Sequence, residues 1–567
     1  MILQRLKEYS EKIELPPPAY QKMKIKWLVK LDRDGNLLGL VKTEQESAKG
    51  KLIGIEHWVP NPGKKTVGIV SGLFSERADY VLGKFDDEQK EKRTAEKHLH
   101  YLANLDNFAM KKELPETHAI KAFFSKHNAE LPSEFDQINA GDWIRFEIND
   151  VDPTDLTEVR EYWADSLEDG KSGVCLLCGR ERRLSRCQPV ALKPIPGGQT
   201  SGVQLISANA APFESFGLTQ SYIAPLCRTC SEATHHTINH LISSENNSFR
   251  LGDKIVFIFW AMEDLPFSMK NLFSNPSEGD VKALFQSAFK GKGWVDIEET
   301  ERFFCLGLSG SGGRAVVKEW IDTTLPTVRD NLRIFFDGHY LVEEKPYHSI
   351  YSLAAATARD LKDVPAHIPV ALIRTALLGK PLPTAILTTT LRRCAIGYQS
   401  KDKRKHVLSS QAALIKLFLA YKSLELKEIN LEEWMSKLDP SFDNPAYLYG
   451  RLFYLLERIQ NAASGGGGVE RTFGSAMTSP ISALPRLVAR AKQAHLPKLH
   501  RDSPGLYFWF QQQMTEVLDK LDPNVSFQTR LQPEEQGLFV LGYYHQRAQK
   551  KETVENEEST TQSNSNN

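Results

Sequence analysis

Two cysteine pairs carry the clearest chemistry in this chain, Cys175-Leu-Leu-Cys178 and Cys227-Arg-Thr-Cys230. Two thiolates on one tight turn supply half of a tetrahedron, and a second such knuckle completes a site for Zn2+. Four thiolates leave no open coordination position, so the expected ion is structural rather than catalytic. Cys187, His235 or His236 could stand in for one ligand, and a set of free buried thiols is the alternative to a metal. The chain has seven cysteines in 567 residues, five of them between Cys175 and Cys230. That clustering points to a metal in a reducing compartment, not to a disulfide framework.

The spacer between the pairs is long and polar. It contains Pro196-Gly-Gly-Gln-Thr-Ser-Gly202 and Ile206-Ser-Ala-Asn-Ala-Ala-Pro-Phe-Glu-Ser-Phe-Gly217. An ion at its base would staple a recognition loop. The Gly-rich run lacks the Gly-Lys-Ser/Thr that ends a phosphate-binding P-loop. Its backbone amides and short side chains, Thr200 and Ser201 among them, suit close approach to a DNA groove. Gln199 and Asn209 carry amides that both donate and accept, as reading base edges requires. A structural turn with satisfied polar groups is the competing explanation.

Net charge is zero, yet it is segregated: residues 371–510 hold 20 Lys+Arg against 10 Asp+Glu. Such an asymmetry predicts a basic module facing nucleic acid or an acidic partner. Arg392, Arg393, Lys401, Lys403, Arg404 and Lys405 form its densest run. Arg451, Arg458, Arg471, Arg486, Arg490 and Lys498 continue it. Arg451 and Arg458 stand seven apart, two turns along one helix face, where they could follow a single-strand backbone. Lys64-Lys65, on a Pro/Gly loop, are candidate phosphate contacts. Each of these is otherwise an ordinary solvated charge. His545, Asp79 and Glu214 read as structural. No Walker motif, His-Asp phosphohydrolase pattern or nuclease carboxylate cluster is visible.

The elements that must position these residues follow from periodicity. An amphipathic helix is expected over residues 1–14, ended by Pro16-Pro-Pro18. Residues 25–31 and 37–41 read as a hairpin turning at Asp34-Gly35. Helical pattern runs from Asp86 to His127, and Trp143–Ile148 alternates as a strand. Gly252–Ala261 and Arg302–Leu308 read as buried strands, with a helix expected from Ala315. From about residue 350 the chain reads as helices, and the tail from Lys551 as disordered. The first residues lack the apolar core of a signal peptide, and the most apolar run, Ile255–Ala261, is too short to span a bilayer. A cytoplasmic protein with no membrane partner is the expectation.

Several blocks together resemble a known family. They are Pro194–Gly202, Leu205–Ala210 with Phe213–Gly217, and Leu306-Gly-Leu-Ser309 with Arg314. Near the C-terminus come Asn444–Phe453, Leu456–Gln460, His495–Leu499 and Gln536–Arg547. The resemblance is to the large subunit of type I-C CRISPR surveillance complexes (Cascade), and it runs from Met1 to Arg547. It implies a non-catalytic protein that reads the protospacer-adjacent motif on double-stranded DNA, helps open the duplex and stabilise the R-loop, and forms a landing surface for a helicase–nuclease. It implies as partners CRISPR RNA, the Cascade backbone subunits and the crRNA-end-binding subunit. It also implies a small subunit made from the chain's own C-terminal bundle, for which Met435 is a candidate internal start. It adds Arg314 to the candidate nucleic-acid contacts. Ser309-Gly-Ser-Gly-Gly-Arg314 departs from the family's usual Pro-Asn-Ala-Ala-Arg, the second cysteine pair stands where many relatives have none, and Gly465–Gly468 replaces a more structured segment.

The expected architecture is α+β. It comprises an N-terminal α+β region (1–172), a zinc-stapled insertion (173–262), the remainder of the α+β domain (263–350), a helical region ending in a bundle (351–550) and a tail (551–567). The competing function from another class is a stand-alone zinc-dependent nucleic-acid enzyme using His235/His236. A pure assembly scaffold is a weaker third.

Overall fold

A computed structural model describes residues 2–46, 52–62, 68–127, 130–167, 170–262, 268–281, 301–342, 346–399, 404–405, 407–423, 431, 433–465, 468–521 and 527–563. The chain divides into two units, Met1–His240 with Gly310–Val316, and Leu241–Ser309 with Val317–Asn567. The architecture is mixed α and β, with a helical C-terminal region.

The first unit opens with helix α1 (Ile2–Ser10) and strands β1 (Tyr20–Ile25) and β2 (Trp27–Leu31). The run that reads as one strand breaks at Lys26. β1 joins β5 (Leu52–Pro60) and β4 (Glu44–Glu46), whereas β2 pairs with β3 (Leu37–Lys42) and β7 (Trp143–Ile148). The Asp34-Gly35 turn forms as expected: the Asp32 carboxylate accepts from the Asp34 and Asn36 amides at 2.9 and 2.8 Å. Gly35 is required there, since its φ is +76° and a Cβ would lie 2.5 Å from the Ala119 carbonyl oxygen. β7 runs parallel to β2, so the intervening chain must cross over; it does so through α2 (Glu91–Ala109) and α3 (Pro115–Lys126). The alternation of Trp143–Ile148 buries Ile144, Phe146 and Ile148 against both helices' apolar residues.

β6 (Glu76–Arg77) edges that sheet, and a hairpin of β8 (Ser172–Val174) and β9 (Glu181–Arg183) leads to α4 (Arg228–Ser243). Asp79 is buried and held by Arg77 and by Lys97 at 2.6 Å, which gives it the structural role expected.

In the second unit β10 (Ser248–Leu251), β11 (Ile255–Ala261), β12 (Arg302–Ser311) and β13 (Arg314–Thr324) form one sheet in chain order. All of β11 is buried, which explains its unbroken apolar sequence. Residues from Ala315 onward form a strand, not the expected helix: Gly312 at φ +56° turns the chain, and helix begins only at α5 (Leu325–His339). Ala315-Val-Val, rich in β-branched residues, favours the pleated form. Then come α6 (His367–Leu378), α7 (Thr384–Ile396), α8 (Ser409–Ser423), α9 (Pro445–Ser464), α10 (Pro480–Arg490), α11 (Leu496–Asp502), α12 (Pro504–Leu518) and α13 (Pro533–Ser563). The last helix continues to Ser563, past Lys551, where the sequence reads as disordered tail.

α9 and α13 pack backbone to backbone. A Cβ on Gly450 would lie 1.9 Å from the Phe539 carbonyl oxygen, and one on Gly542 would lie 2.1 Å from that of Tyr447. Only hydrogen fits at either place, and the close crossing lets Tyr447 meet His545 Nδ1 at 3.0 Å in the core. Burial pushes His545 down to about 3, so the ring is neutral and serves packing. Gly450→Ala or Gly542→Ala should therefore each cost about 3 kcal/mol, the upper range for overpacking. Gly505→Ala, where nothing lies within 4 Å, should leave the melting profile unchanged or raise it. Scanning calorimetry of the three variants checks this.

Candidate metal centre and nucleic-acid loop

The two cysteine knuckles meet. Cys175 and Cys178 sit on the turn of the β8–β9 hairpin, and Cys227 and Cys230 at the start of α4. The four sulfurs lie within 4.8 Å of one another, with Cys178 and Cys227 at 4.0 Å. Tetrahedral zinc with sulfur at ~2.3 Å implies sulfur separations of roughly 3.8 Å, so the cluster is compatible with such an ion. The turn is shaped by backbone bonds. The Gly179 amide reaches the Cys175 carbonyl and the Cys175 amide reaches that of Arg180, both at 3.0 Å, with Gly179 at φ +67°. The Cys227 amide donates to the Cys175 sulfur at 3.3 Å. Leu184, Ile206 and Leu226 surround the sulfurs.

Such packing is unfavourable for thiols alone. Cys175 is favoured as a thiolate because the Cys227 thiol, then Cys230, hydrogen-bonds to it. The same bond, with burial, pushes Cys227 up to about 12, and Cys230 is raised for the same reasons. A dication would reverse the sign and let all four ionise. Cys187 is exposed, with its sulfur 3.8 Å from Gln220 Oε1, and is not in the cluster. His235 is buried and bonded to the Ser231 carbonyl at 2.8 Å. Neither it nor His236 joins the sulfurs, so the set is four cysteines among the described residues.

The Gly-rich loop rises from this clamp and lies on the tip of the β12–β13 hairpin. The Gln199 amide donates to Gly312 at 3.2 Å, Gln204 to Gly313 at 2.9 Å, and Ala315 to Gln204 at 2.8 Å. A Cβ on Gly310 would lie 2.2 Å from the Gly198 nitrogen, so the two backbones touch. That contact requires Gly310, and a φ of +56° accounts for Gly312 in Ser309-Gly-Ser-Gly-Gly-Arg314. Gln199, Thr200, Ser201 and Asn209 are exposed. Arg314 donates to the Asn209 side-chain oxygen, and its guanidinium lies 3.3 Å over the Phe213 ring. Five candidates from three places in the sequence thus form one polar surface.

The sequence reading missed Phe216. It is 98% exposed, in a turn closed by the Leu218 amide on the Ser215 carbonyl at 2.9 Å. Phe216 and Gly217 have φ of +53° and +70°, the signs of a type I′ turn, which favours Asn-Gly. A bulky aromatic held left-handed and unburied is strained without packing gain. Its signal in sequence was a Phe-Gly where Asn-Gly would be comfortable.

The other candidates are dispersed. Lys64 and Lys65, and Lys401 and Lys403, lie outside the described residues. Arg392 is exposed and Arg393 half-buried near the end of α7; Arg404 pairs by backbone with Gln399. Arg490 and Lys498 are exposed on α10 and α11. Arg451 requires correction: it is fully buried, donating to Gln546 and Glu516 at 2.8 Å each, and is not available to phosphate. Arg458, two turns on, is half-buried. Seven-residue spacing shows that two residues share a face, not that the face is outside.

A family model for CRISPR-associated proteins (Cas_Csd1) matches residues 2–550. The chain belongs to that family. No curated protein matches it. Among the described residues no helix is long and apolar enough to cross a membrane.

Phe216→Asn should relieve the turn by about 1 kcal/mol and leave the melting profile level or raised. A lowered melting temperature would show that the ring is packed.

Proposed function

We propose that this protein is the non-catalytic large subunit of a type I-C CRISPR surveillance complex. In this reading it recognises the protospacer-adjacent motif on double-stranded DNA and helps to open the duplex beside it. The observation that carries it is the surface of Gln199, Thr200, Ser201, Asn209 and Arg314, held backbone to backbone on a hairpin tip. Amide side chains on a rigid base can read groove edges, which flexible ones cannot do without an entropy cost. Phe216 stands at a tip of the same loop system, where an apolar ring can wedge into a base step and unstack it. Guide pairing supplies the remaining specificity. Lys64, Lys65, Arg392, Arg393, Arg404 and Arg458 are assigned to phosphate contacts, which give affinity and salt dependence but no sequence preference.

The partners in this reading are CRISPR RNA, the backbone and crRNA-end-binding subunits, and the helicase–nuclease. A small subunit started at Met435 would contain α9 to α13. It would lose the packing of Gly537 on Ile415 and Leu419 of α8, leaving that face to be covered by another chain. The ion in the cysteine cluster is a structural Zn2+, whose role is to fix the base of the loop.

Complexes assembled with Gln199→Ala or Asn209→Ala should bind targets differing only beside the protospacer with reduced discrimination, by about 1–3 kcal/mol per lost bidentate contact. Phe216→Ala should bind the motif yet open the duplex slowly, read by 2-aminopurine fluorescence. Unchanged discrimination in both amide variants would contradict the loop assignment. Elemental analysis of purified protein should give about one zinc per chain, lost in Cys175→Ser/Cys178→Ser. Metal-free protein with four titrating thiols would contradict the zinc.

A further inference from the structure

Arg314 is fixed at its backbone and clamped at its tip. The Gln204 amide donates to the Gly313 carbonyl at 2.9 Å, and the Ala315 amide donates to that of Gln204 at 2.8 Å, so both neighbours of Arg314 are tied to the glycine-rich loop. Its side chain then reaches the outer loop, where it donates to the Asn209 side-chain oxygen and lies 3.3 Å over the Phe213 ring. That ring stands on a single short turn, Ala211–Phe213, closed by the Phe213 amide on the Ala210 carbonyl at 2.9 Å. Phe213 is 49% exposed and carries the guanidinium on its face.

The clamp decides which way the Asn209 amide faces. A guanidinium has five N–H donors and no acceptor, so the group that meets it must be the Asn209 carbonyl and not the amine. The amine of this exposed residue is thereby turned away from Arg314. Arg314 itself adds only donors. The pair therefore offers N–H groups outward, with its acceptor engaged internally. An asparagine with both ends free makes a bidentate contact to adenine, one donor against one acceptor. Asn209 held by Arg314 is suited instead to acceptors alone. Those are purine N7 and guanine O6 in the major groove, or adenine N3 and thymine O2 in the minor groove.

An arginine on an open loop samples many rotamers, and ordering them on binding costs affinity. A ring beneath the guanidinium and an oxygen at its edge restrict that freedom before DNA arrives. We propose that Phe213 is a positioning residue: by holding Arg314 it fixes Asn209 with its amine outward, and the pair selects base edges that offer acceptors. This inference rests on the motif-reading role given to Asn209 and Arg314 above, and adds to it the residue that sets them and the chemistry they select.

The test uses complexes assembled with Phe213→Leu, Phe213→Tyr, Asn209→Asp and Asn209→Ala, on duplexes carrying the preferred motif or a scrambled one. Phe213→Leu keeps an apolar side chain and loses the ring face. It should lower the ratio of preferred to scrambled binding by about 2–5-fold, and Phe213→Tyr should restore the ratio. Asn209→Asp keeps oxygens for Arg314 but loses the amine, so it should discriminate as poorly as Asn209→Ala. Motif purines are then replaced by 7-deazapurines, which lack N7, or by 3-deazaadenine, which lacks N3. One of the two should weaken the parent complex, naming the groove, and have no effect on Asn209→Asp. Phe213→Leu discriminating like the parent, or Phe213→Tyr failing to restore the ratio, would overturn the positioning role. Asn209→Asp discriminating like the parent, or neither analogue acting, would overturn the donor assignment. Asn209→Ala discriminating like the parent would instead overturn the motif-reading role itself, so the two failures are told apart. Circular dichroism confirms that the variants fold.

Discussion

The contact between Gly198 and Gly310 is the constraint on which the rest of the first unit's site depends. Two loops distant in sequence approach until a methyl group has no room. The backbone bonds beside it fix Gln199, Gln204 and Arg314 in one register. Leu192, Ile195 and Val203 are buried beneath it, but the loop from Asn209 to Thr219 is exposed throughout. Its order must come from its ends. Ala208 and Gln220 close it, their amides donating to each other's carbonyls at 3.1 and 2.6 Å, and the cysteine cluster clamps the longer segment that carries it. A metal there would act on the loop by geometry rather than by chemistry, consistent with four ligands and no open position.

The second unit solves a different problem. Its helices bury a large apolar core, and two cations enter it on hydrogen bonds. Lys416 is buried with its ammonium on the carbonyls of Asp337, Tyr340 and Leu431, at 3.1, 2.7 and 3.0 Å. Arg451 is spanned by Gln546 and Glu516. Charge in this unit is therefore of two kinds, internal struts and outward faces. An excess of basic residues counted along the sequence mixes them.

That mixture marks the limit of the sequence. Both cysteine pairs, the Asp34-Gly35 turn and the buried strand at Ile255–Ala261 were legible, because spacing, turn chemistry and apolar run length are local properties. The parallel pairing of β2 with β7 was not, since more than a hundred residues separate the strands. Arg451 was misplaced because helical spacing assigns a face without saying which side is core. The strand after Gly312 was misread because a glycine turn resembles a helix start until its partner strand is known. Phe216 was overlooked because exposure is a tertiary property. Amide chemistry singled out Gln199 and Asn209 and the family resemblance added Arg314, and only the folded chain shows them at the same hairpin tip.

If this loop system faces the duplex beside the protospacer, Phe216 meets the base pairs there. Site-specific photo-crosslinking tests it directly. A benzophenone amino acid replaces Phe216 in the assembled ribonucleoprotein, which is then irradiated on a target carrying a mapped label. Crosslinks are expected to the base pairs flanking the protospacer at its motif end, lost when the motif is scrambled. Crosslinks confined to another protein subunit, or to DNA at the far end of the protospacer, would contradict it.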